Sequence, residues 1–363
     1  MIEGAGGSLT DLASLIVEHI HCVVSGPHQI MTDNSVFCLL GVLQLLTEKA
    51  DDDALLKDAL LQQGIVGALT TTVSALSGAT LDSTTAVLQT CFTLLLKILS
   101  TSPGHKWLRE ALGAGLIGAI VTCATRGTSE LDFYVQHLLL LFPGCLVYHS
   151  VLSQMEELLL QVKPLATTGD FRASKIAKEW DEFVDLAWER LRIMKRYDRG
   201  EYSSARACDN IDCNGIHAKS EFKRCSGCQT MYYCSEQCQT LDWRTGGHRE
   251  ACEDLRSLGV RESAHLSSRD LSFMRALLHY DYENAKADIL FQQFEFLAQS
   301  PGANCFTWFD YIKGRVSITV SSTTQETLSS DWPDHVRRAS KSNGQMSLHV
   351  MVVAQGPMTR LRC

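Results

Sequence analysis

The sequence contains no hydrophobic run long enough to cross a lipid bilayer. Its longest apolar stretch, around residues 138–147, is interrupted by Pro143 and Gly144. It is about half the length of a membrane-spanning helix, which needs about 20 apolar residues. The first 14 residues also lack a basic segment followed by an apolar one, which a secretory signal peptide requires. We therefore expect no membrane partner and an intracellular location, either cytoplasmic or nuclear.

The sequence also has no excess of positive charge. Its 33 Lys and Arg residues are outnumbered by 41 Asp and Glu residues, and the formal net charge is −8. A protein this acidic repels the phosphate backbone of nucleic acids. Residues 201–256 hold seven Lys and Arg against nine Asp and Glu, whereas a module that reads DNA is basic. We therefore predict that nucleic acid is not a partner.

The 14 cysteines are unevenly distributed, because seven of them lie within residues 208–252. The other seven are scattered singly, mostly in apolar helical sequence, where cysteine behaves as a small buried apolar residue. A disulfide scaffold would be short, secreted and evenly rich in cysteine. The distribution therefore indicates a reducing compartment and one cysteine-rich module.

Residues 8–200 are almost entirely helical by pattern. Apolar residues recur at helical spacing over residues 35–49, 54–62, 84–99 and 106–112. Residues 36–68 also match residues 87–119 at an offset of 51, most clearly where 64–68 (Gly-Ile-Val-Gly-Ala) pairs with 115–119 (Gly-Leu-Ile-Gly-Ala). A period near 50 with helical content predicts an armadillo- or HEAT-like repeat. The alternative is an irregular helical bundle.

Residues 172–199 are predicted to form one amphipathic helix that ends at Gly200. Its apolar stripe consists of Ile176, Trp180, Phe183, Val184, Ala187, Leu191 and Met194. The stripe is wider than the two-position seam of a coiled coil, so we expect a last helix packed on the helical region, with a dimerisation helix as the alternative. Farther along, residues 268–300 are predicted to be helical, and residues 315–321 and 347–354 are predicted to be strands of a small sheet.

Eight potential metal ligands occur as four pairs with two to four residues between the partners. They are Cys208 and Cys213, Cys225 and Cys228, Cys234 and Cys238, and His248 and Cys252. Zinc takes four such ligands in a tetrahedron, and this pair spacing is typical of structural zinc sites. Eight ligands therefore predict two structural zinc ions in closed sites, with no open position for a reactive water. About 45 residues bury too little apolar area to fold alone, so the metal should supply the folding free energy.

These residues resemble the MYND family of zinc fingers. The matching residues are Lys223-Arg224-Cys225-Ser226-Gly227-Cys228, Tyr232-Tyr233-Cys234-Ser235, Cys238-Gln239, Asp242-Trp243 and His248-x3-Cys252. The resemblance implies interleaved sites, in which pairs one and three share one zinc and pairs two and four share the other. The spacing alone also allows consecutive pairs to share a site. The first pair departs from the commoner family spacing, since four residues separate its cysteines instead of two, and His217 is a rival ligand nearby.

The resemblance also implies that Gln239 and Trp243 border a shallow groove that binds proline-containing peptides. The alternative is that Trp243 covers a zinc site. More loosely, residues 105–112 and 133–151 are similar to MYND proteins of mushroom-forming fungi, in which a helical region precedes the finger. Together, the helical patterns, the finger and the strand patterns predict a mainly α chain with three domains: a helical solenoid-like domain (1–200), the finger (201–256) and a C-terminal α+β segment with a short sheet (257–363).

We therefore predict a zinc-binding adaptor or scaffold protein that is not an enzyme. One alternative is a relative of the MYND-containing lysine methyltransferases. The sequence has no Asn-His-x-Cys segment of that family, since residues 303–305 (Ala-Asn-Cys) lack the histidine. The other alternative is a RING-like ubiquitin ligase, whose central ligands include a Cys-x-His pair that this chain does not have.

Overall fold

The computed structural model describes residues 6–24, 33–49, 53–79, 82–101, 103–127, 129–202, 205–213, 215–263, 266–323, 332–342, 344, 346–355 and 358–362. Within these ranges the chain is mainly α-helical and ends in a small sheet, so the predicted fold class is confirmed. The helices are α1 (Leu9–Val24), α2 (Asp33–Lys49), α3 (Ala54–Gln62), α4 (Ile65–Leu76), α5 (Asp82–Leu99), α6 (Gly104–Gly113), α7 (Leu116–Thr125), α8 (Ser129–Cys145), α9 (His149–Ala166), α10 (Gly169–Arg172), α11 (Ala177–Asp198), α12 (Glu236–Thr245), α13 (His248–Ser263), α14 (Ser268–Gln299) and α15 (Trp332–Lys341). The strands are β1 (Ala205–Ala207), β2 (Ile216–Ala218), β3 (Lys223–Arg224), β4 (Tyr232–Tyr233), β5 (Cys305–Asp310), β6 (Ser317–Ser322), β7 (His349–Gln355) and β8 (Met358–Arg362).

The chain divides into two compact units. The first consists of Met1–Leu146, Ser150–Leu191 and Ala354–Met358, and the second of Val147–His149, Arg192–Val353 and Thr359–Cys363. The cysteine-rich module therefore belongs to the same unit as the C-terminal helices and sheet. The division into domains 1–200, 201–256 and 257–363 stays a prediction.

The internal repeat of the first unit is a group of three helices. Helices α2, α3 and α4 recur about 51 residues later as α5, α6 and α7. Gly64 and Gly115 precede α4 and α7 with φ angles of 83° and 99°, a left-handed conformation that favours glycine. Neither glycine can cap its helix with a side chain, and in α4 the carboxylate of Glu110 instead accepts a hydrogen bond from the Gly67 amide at 3.0 Å. The armadillo- or HEAT-like assignment of this repeat stays a prediction.

No single helix in the described ranges is long and apolar enough to cross a membrane. Two bent pairs of consecutive helices, α3 with α4 and α6 with α7, have the length and apolar composition of a membrane span only when the two helices of a pair are counted together.

The single helix predicted over residues 172–199 is wrong at its start. The short helix α10 ends at Arg172, and α11 begins only at Ala177. After α10 the Ala173 and Ser174 amides donate to the Gly169 and Phe171 carbonyls, so the chain closes a tight turn before α11 begins. The predicted apolar stripe is nonetheless buried except at Val184, which is half-buried: Trp180 is 4% exposed and its ring lies 5.8 Å from that of Phe171. The part of α11 up to Leu191 therefore packs inside the first unit, as expected of a last helix.

The C-terminal part of the second unit is a four-stranded sheet with the order β6-β5-β7-β8. Strand β5 pairs antiparallel with β6 and parallel with β7. The predicted strands correspond to β6 and β7, and the predicted helix over 268–300 corresponds to α14, which Ser267 caps by accepting from the Asp270 amide. Strands β5 and β8 were not predicted. Tyr311, just after β5, donates a hydrogen bond of 2.7 Å to buried Asp281 of α14 and so joins the sheet to the helix.

Candidate metal centre

Two short hairpins and two helices carry the eight potential ligands. Strands β1 and β2 pair antiparallel, and so do β3 and β4, in which Arg224 lies opposite Tyr232. Cys208, Cys225 and Cys234 directly follow β1, β3 and β4. Most of the remaining ligands lie in the loops after these strands or in the first turns of α12 and α13. Cys252 lies one turn into α13, on the same face as His248 at the start of that helix.

The structure brings all eight ligands together in two clusters. The first cluster consists of Cys208, Cys213, Cys234 and Cys238, and the second of Cys225, Cys228, His248 and Cys252. In each cluster the ligand atoms lie within 4.8 Å of one another. The first pair therefore shares a cluster with the third, and the second with the fourth, which is the interleaved order. His217 is in neither cluster, and its Nδ1 lies 4.0 Å from a carboxylate oxygen of Glu221.

The spacing of the ligand atoms fits tetrahedral zinc. Sγ–Sγ distances are 3.7 Å for Cys213 with Cys234, 3.6 Å for Cys234 with Cys238, and 3.9 Å for Cys225 with Cys252. A zinc–sulfur bond of about 2.3 Å gives a tetrahedral edge of about 3.8 Å, whereas a disulfide would need about 2.05 Å. These thiols are therefore spaced for a shared metal. Each four-ligand set is a closed site, so the two clusters can hold two zinc ions in structural positions.

Burial shapes the acidity of these thiols before metal binds. It raises the pKa of the Cys208 thiol, and burial together with the neighbouring Cys225 raises the pKa of Cys252 to about 11. Burial also acts to raise the pKa of Cys228, but hydrogen bonds from Thr230, from the Met231 backbone and from Cys225 together outweigh it and leave that pKa lowered. Zinc binds the thiolate form, so at neutral pH it must displace protons from Cys208 and Cys252.

One glycine is required by the second cluster. A Cβ atom added at Gly227 would lie 2.9 Å from the Sγ of Cys252, closer than real Cβ atoms approach other heavy atoms. The Cys-Ser-Gly-Cys segment therefore needs glycine at this position so that the chain can pass close to the ligand on α13.

A carboxylate beside the first cluster joins the two hairpins. Asp209, which follows Cys208, accepts a hydrogen bond of 2.6 Å from the Tyr232 amide through its side chain, and its own amide donates to the Tyr232 carbonyl at 2.8 Å. Arg338 of α15 donates to both the carboxylate and the carbonyl of Asp209, at 3.0 and 2.9 Å. Lys341 pairs with Asp212 in the same loop. Helix α15 therefore holds the loop between Cys208 and Cys213, a contact that the sequence analysis missed.

The Asp-Trp pair on α12 has two different environments. Asp242 is buried and accepts a hydrogen bond of 2.6 Å from the hydroxyl of buried Tyr233, and burial and this carboxylate both raise the pKa of the tyrosine. Trp243 is 40% exposed, with its ring 5.6 Å from that of His248. Gln239 is half-buried one turn earlier on the same helix. Asp242 thus belongs to the core of the module, a role that sequence reasoning missed, while Trp243 lies at its surface.

The MYND finger family model matches residues 208–252, which are the residues that form the two clusters. This segment is a MYND finger. A MYND finger is a zinc-binding domain of protein interaction. The eight clustered residues are the complete ligand set of such a finger, and the wider first pair, Cys208 and Cys213, is accommodated without loss of the cluster.

Parts of the chain are also similar to curated proteins. Ubiquitin carboxyl-terminal hydrolase 19 of Arabidopsis thaliana is 32% identical over 81 residues, which are 22% of this chain and 11% of that protein. Histone-lysine N-methyltransferase ASHR1 of the same plant is 27% identical over 74 residues, 20% of this chain and 15% of its own length. Programmed cell death protein 2 of Bos taurus is 41% identical over 56 residues, 15% of this chain and 14% of its own length.

These matches span no more than 15% of each of the three relatives. No solved structure is significantly similar to the chain. The likeness to fungal proteins stays a prediction.

Proposed function

We propose that this protein is a non-enzymatic adaptor whose MYND finger binds short, extended, proline-containing peptides, with Gln239 and Trp243 on the contact face. The observation that carries the proposal is the exposure of Trp243. The residue is 40% exposed, whereas Asp242 and Tyr233 of the same finger are buried. A large aromatic side chain at the surface of so small a module is available to a partner, and tryptophan is enriched among residues that dominate binding energy.

The position of the two residues suits an extended ligand. Gln239 and Trp243 are four residues apart on α12, so their side chains are neighbours on one helix face. The tryptophan ring offers a flat apolar surface for a proline ring, and the glutamine amide can both donate to and accept from a peptide backbone. Proline-rich segments are already stiff and lose little entropy on binding. The contact area is small, so we expect dissociation constants that are micromolar or weaker.

The donor sets of the clusters support the non-enzymatic part of the proposal. Each cluster supplies four protein ligands, so a bound zinc has no open position at which to activate a water or a substrate. The first unit, with its helical repeat, is then the scaffold that carries the finger. Incubation of the protein with labelled S-adenosylmethionine and candidate peptides tests this part directly. Methyl transfer that depends on a residue outside the finger would contradict it.

The peptide site is tested by Trp243→Ala, with Leu241→Ala as the matched control. Leu241 is 55% exposed on the same helix but two residues away, and therefore on another face. On an array of proline-containing peptides, Trp243→Ala should weaken the best binder by about 1–3 kcal/mol, and Leu241→Ala should have little effect. Both variants should retain two zinc ions. Loss of zinc from Trp243→Ala would instead assign this residue to the core of the finger.

A further inference from the structure

Positive side chains gather around Tyr232 on the MYND finger. The guanidinium of Arg206 lies 3.6 Å from the centre of the Tyr232 ring, and that of Arg224 lies 4.9 Å from it. Both distances are within the range of cation–π contact. Burial lowers the pKa of Lys219, and so do the positive charges around it, those of Arg275, Arg224 and Arg206. We call Arg206, Lys219 and Arg224 the basic cluster, and Arg275 of α14 adds to its positive potential.

The basic cluster has little counter-charge of its own. Arg206 contacts Asp209 at 3.5 Å, but that carboxylate is shared with Arg338, which lies closer at 3.0 Å. Lys219 and Arg224 form no ion pair with any residue that the structure describes. Concentrating like charges is unfavourable, and it stands out in a chain whose formal net charge is −8. An anion bound here would relieve the repulsion.

The chemistry of the side chains indicates which anion fits. Guanidinium groups bind the oxygens of phosphate and carboxylate in a planar, bidentate manner. Stacking on Tyr232 holds Arg206 and Arg224 in place, so less freedom is lost when a ligand binds. A phosphorylated side chain carries about −1.5 to −2 charges at neutral pH and gains more from several cations than a carboxylate does. The acidic remainder of the chain disfavours a long polyanion such as a nucleic acid.

We propose that the basic cluster binds the phosphate of a phosphoserine or phosphothreonine in a partner peptide. Clusters of arginine are a recurring means of recognising phosphorylated peptides, and the MYND finger is a domain of protein interaction. The site uses neither Gln239 nor Trp243. It therefore does not depend on the proline-peptide proposal, and failure of either proposal leaves the other intact.

The test uses the full-length, zinc-loaded protein and fluorescence anisotropy. The probe is a labelled nonapeptide of glycine and alanine with one central phosphoserine. Matched peptides carry serine or glutamate at that position, and a labelled single-stranded oligonucleotide of nine bases is the fourth probe. We expect the phosphopeptide to bind at least tenfold more tightly than the serine peptide and more tightly than the glutamate peptide. Inorganic phosphate should compete with the phosphopeptide.

The decisive comparison is Arg224→Gln against Lys223→Gln. The two residues are neighbours on β3 and lose the same charge, but Lys223 pairs with Glu236 at 3.2 Å and is outside the basic cluster. Arg224→Gln and, independently, Lys219→Gln should weaken phosphopeptide binding at least fivefold, and Lys223→Gln less than twofold, with two zinc ions retained in each variant. Equal weakening by all three variants, equal affinity for the serine peptide, or tighter binding of the oligonucleotide would overturn the proposal. Should Arg224→Gln lose zinc, Lys219→Gln alone decides.

Discussion

Replacing Arg338 with methionine should loosen the first zinc cluster while leaving the second in place. Arg338 is 129 residues from Asp209 in sequence, and its side chain is 17% exposed against 10% for the aspartate. Methionine keeps much of the length of arginine and removes both of its hydrogen bonds to the residue that follows Cys208. The change therefore tests whether helix α15 is part of what holds this zinc.

The expected loss follows from the contacts around Asp209. Removing one partner of a buried ion pair costs about 3–5 kcal/mol when the other charge is left alone. Here Asp209 retains the Tyr232 amide at 2.6 Å and Arg206 at 3.5 Å, so its carboxylate is not left without partners. We therefore expect about 2 kcal/mol, which corresponds to about a 30-fold weaker retention of zinc at the first cluster.

Competition with a coloured zinc chelator measures this loss, because it counts the zinc ions released per chain as the chelator concentration rises. The control is Arg337→Met, which removes the same charge from the preceding, exposed position of α15. Arg338→Met should shift the release of one zinc per chain and leave the release of the other unchanged. Equal effects of the two variants, or a shift of both zinc ions, would refute the role assigned to Arg338.

Three further predictions concern the finger and the sheet. Gly227→Ala should weaken zinc binding at the second cluster, because the added methyl group would lie 2.9 Å from the Sγ of Cys252. The zinc content after dialysis should fall from two ions per chain toward one. The control Gly41→Ala, whose methyl group would meet no other atom, should have no effect. Zinc binding should release protons and should strengthen as the pH rises, because burial raises the pKa of Cys252 to about 11. Calorimetry in two buffers of different ionisation enthalpy measures the protons released, and a result of none would contradict this prediction. Burial lowers the pKa of His349 to about 4, so between pH 6.5 and pH 4 the unfolded chain binds more protons than the folded chain. The free energy of unfolding should therefore decrease by up to about 3 kcal/mol as the pH is lowered through this range. Urea unfolding from pH 7 to 4 should show this loss, and His349→Gln should flatten it.

The parts of the fold that the sequence predicted are those governed by local spacing. The spacing within each ligand pair places both partners close enough to bind the same zinc ion. The repeated glycines, Gly64 and Gly115, each adopt a left-handed conformation just before a helix. The helix predicted over residues 268–300 is local in the same sense, and in the structure Ser267 caps it. Patterns of this kind depend on residues within a few turns of one another, so they can be read without knowing the tertiary structure.

Features that depend on distant residues could not be predicted in this way. The contact of Arg338 with Asp209 has no local signal in either segment. Strand β5 (Cys-Phe-Thr-Trp-Phe-Asp) does not alternate clearly between polar and apolar residues, because it is a central strand with Phe306, Thr307 and Phe309 all buried. The break between α10 and α11 leaves the stripe from Ile176 to Met194 intact, so the apolar spacing gives no signal for it.

The interleaved order of the ligands has a consequence for how the finger can be inherited. A break in the chain between Cys228 and Cys234 would leave two ligands of each cluster on either side, so neither fragment could close a tetrahedral site. A finger with consecutive pairing could lose one site and keep the other as a smaller working module. This finger cannot be halved at that point, so we expect recombination and splicing to keep or discard residues 208–252 as a whole.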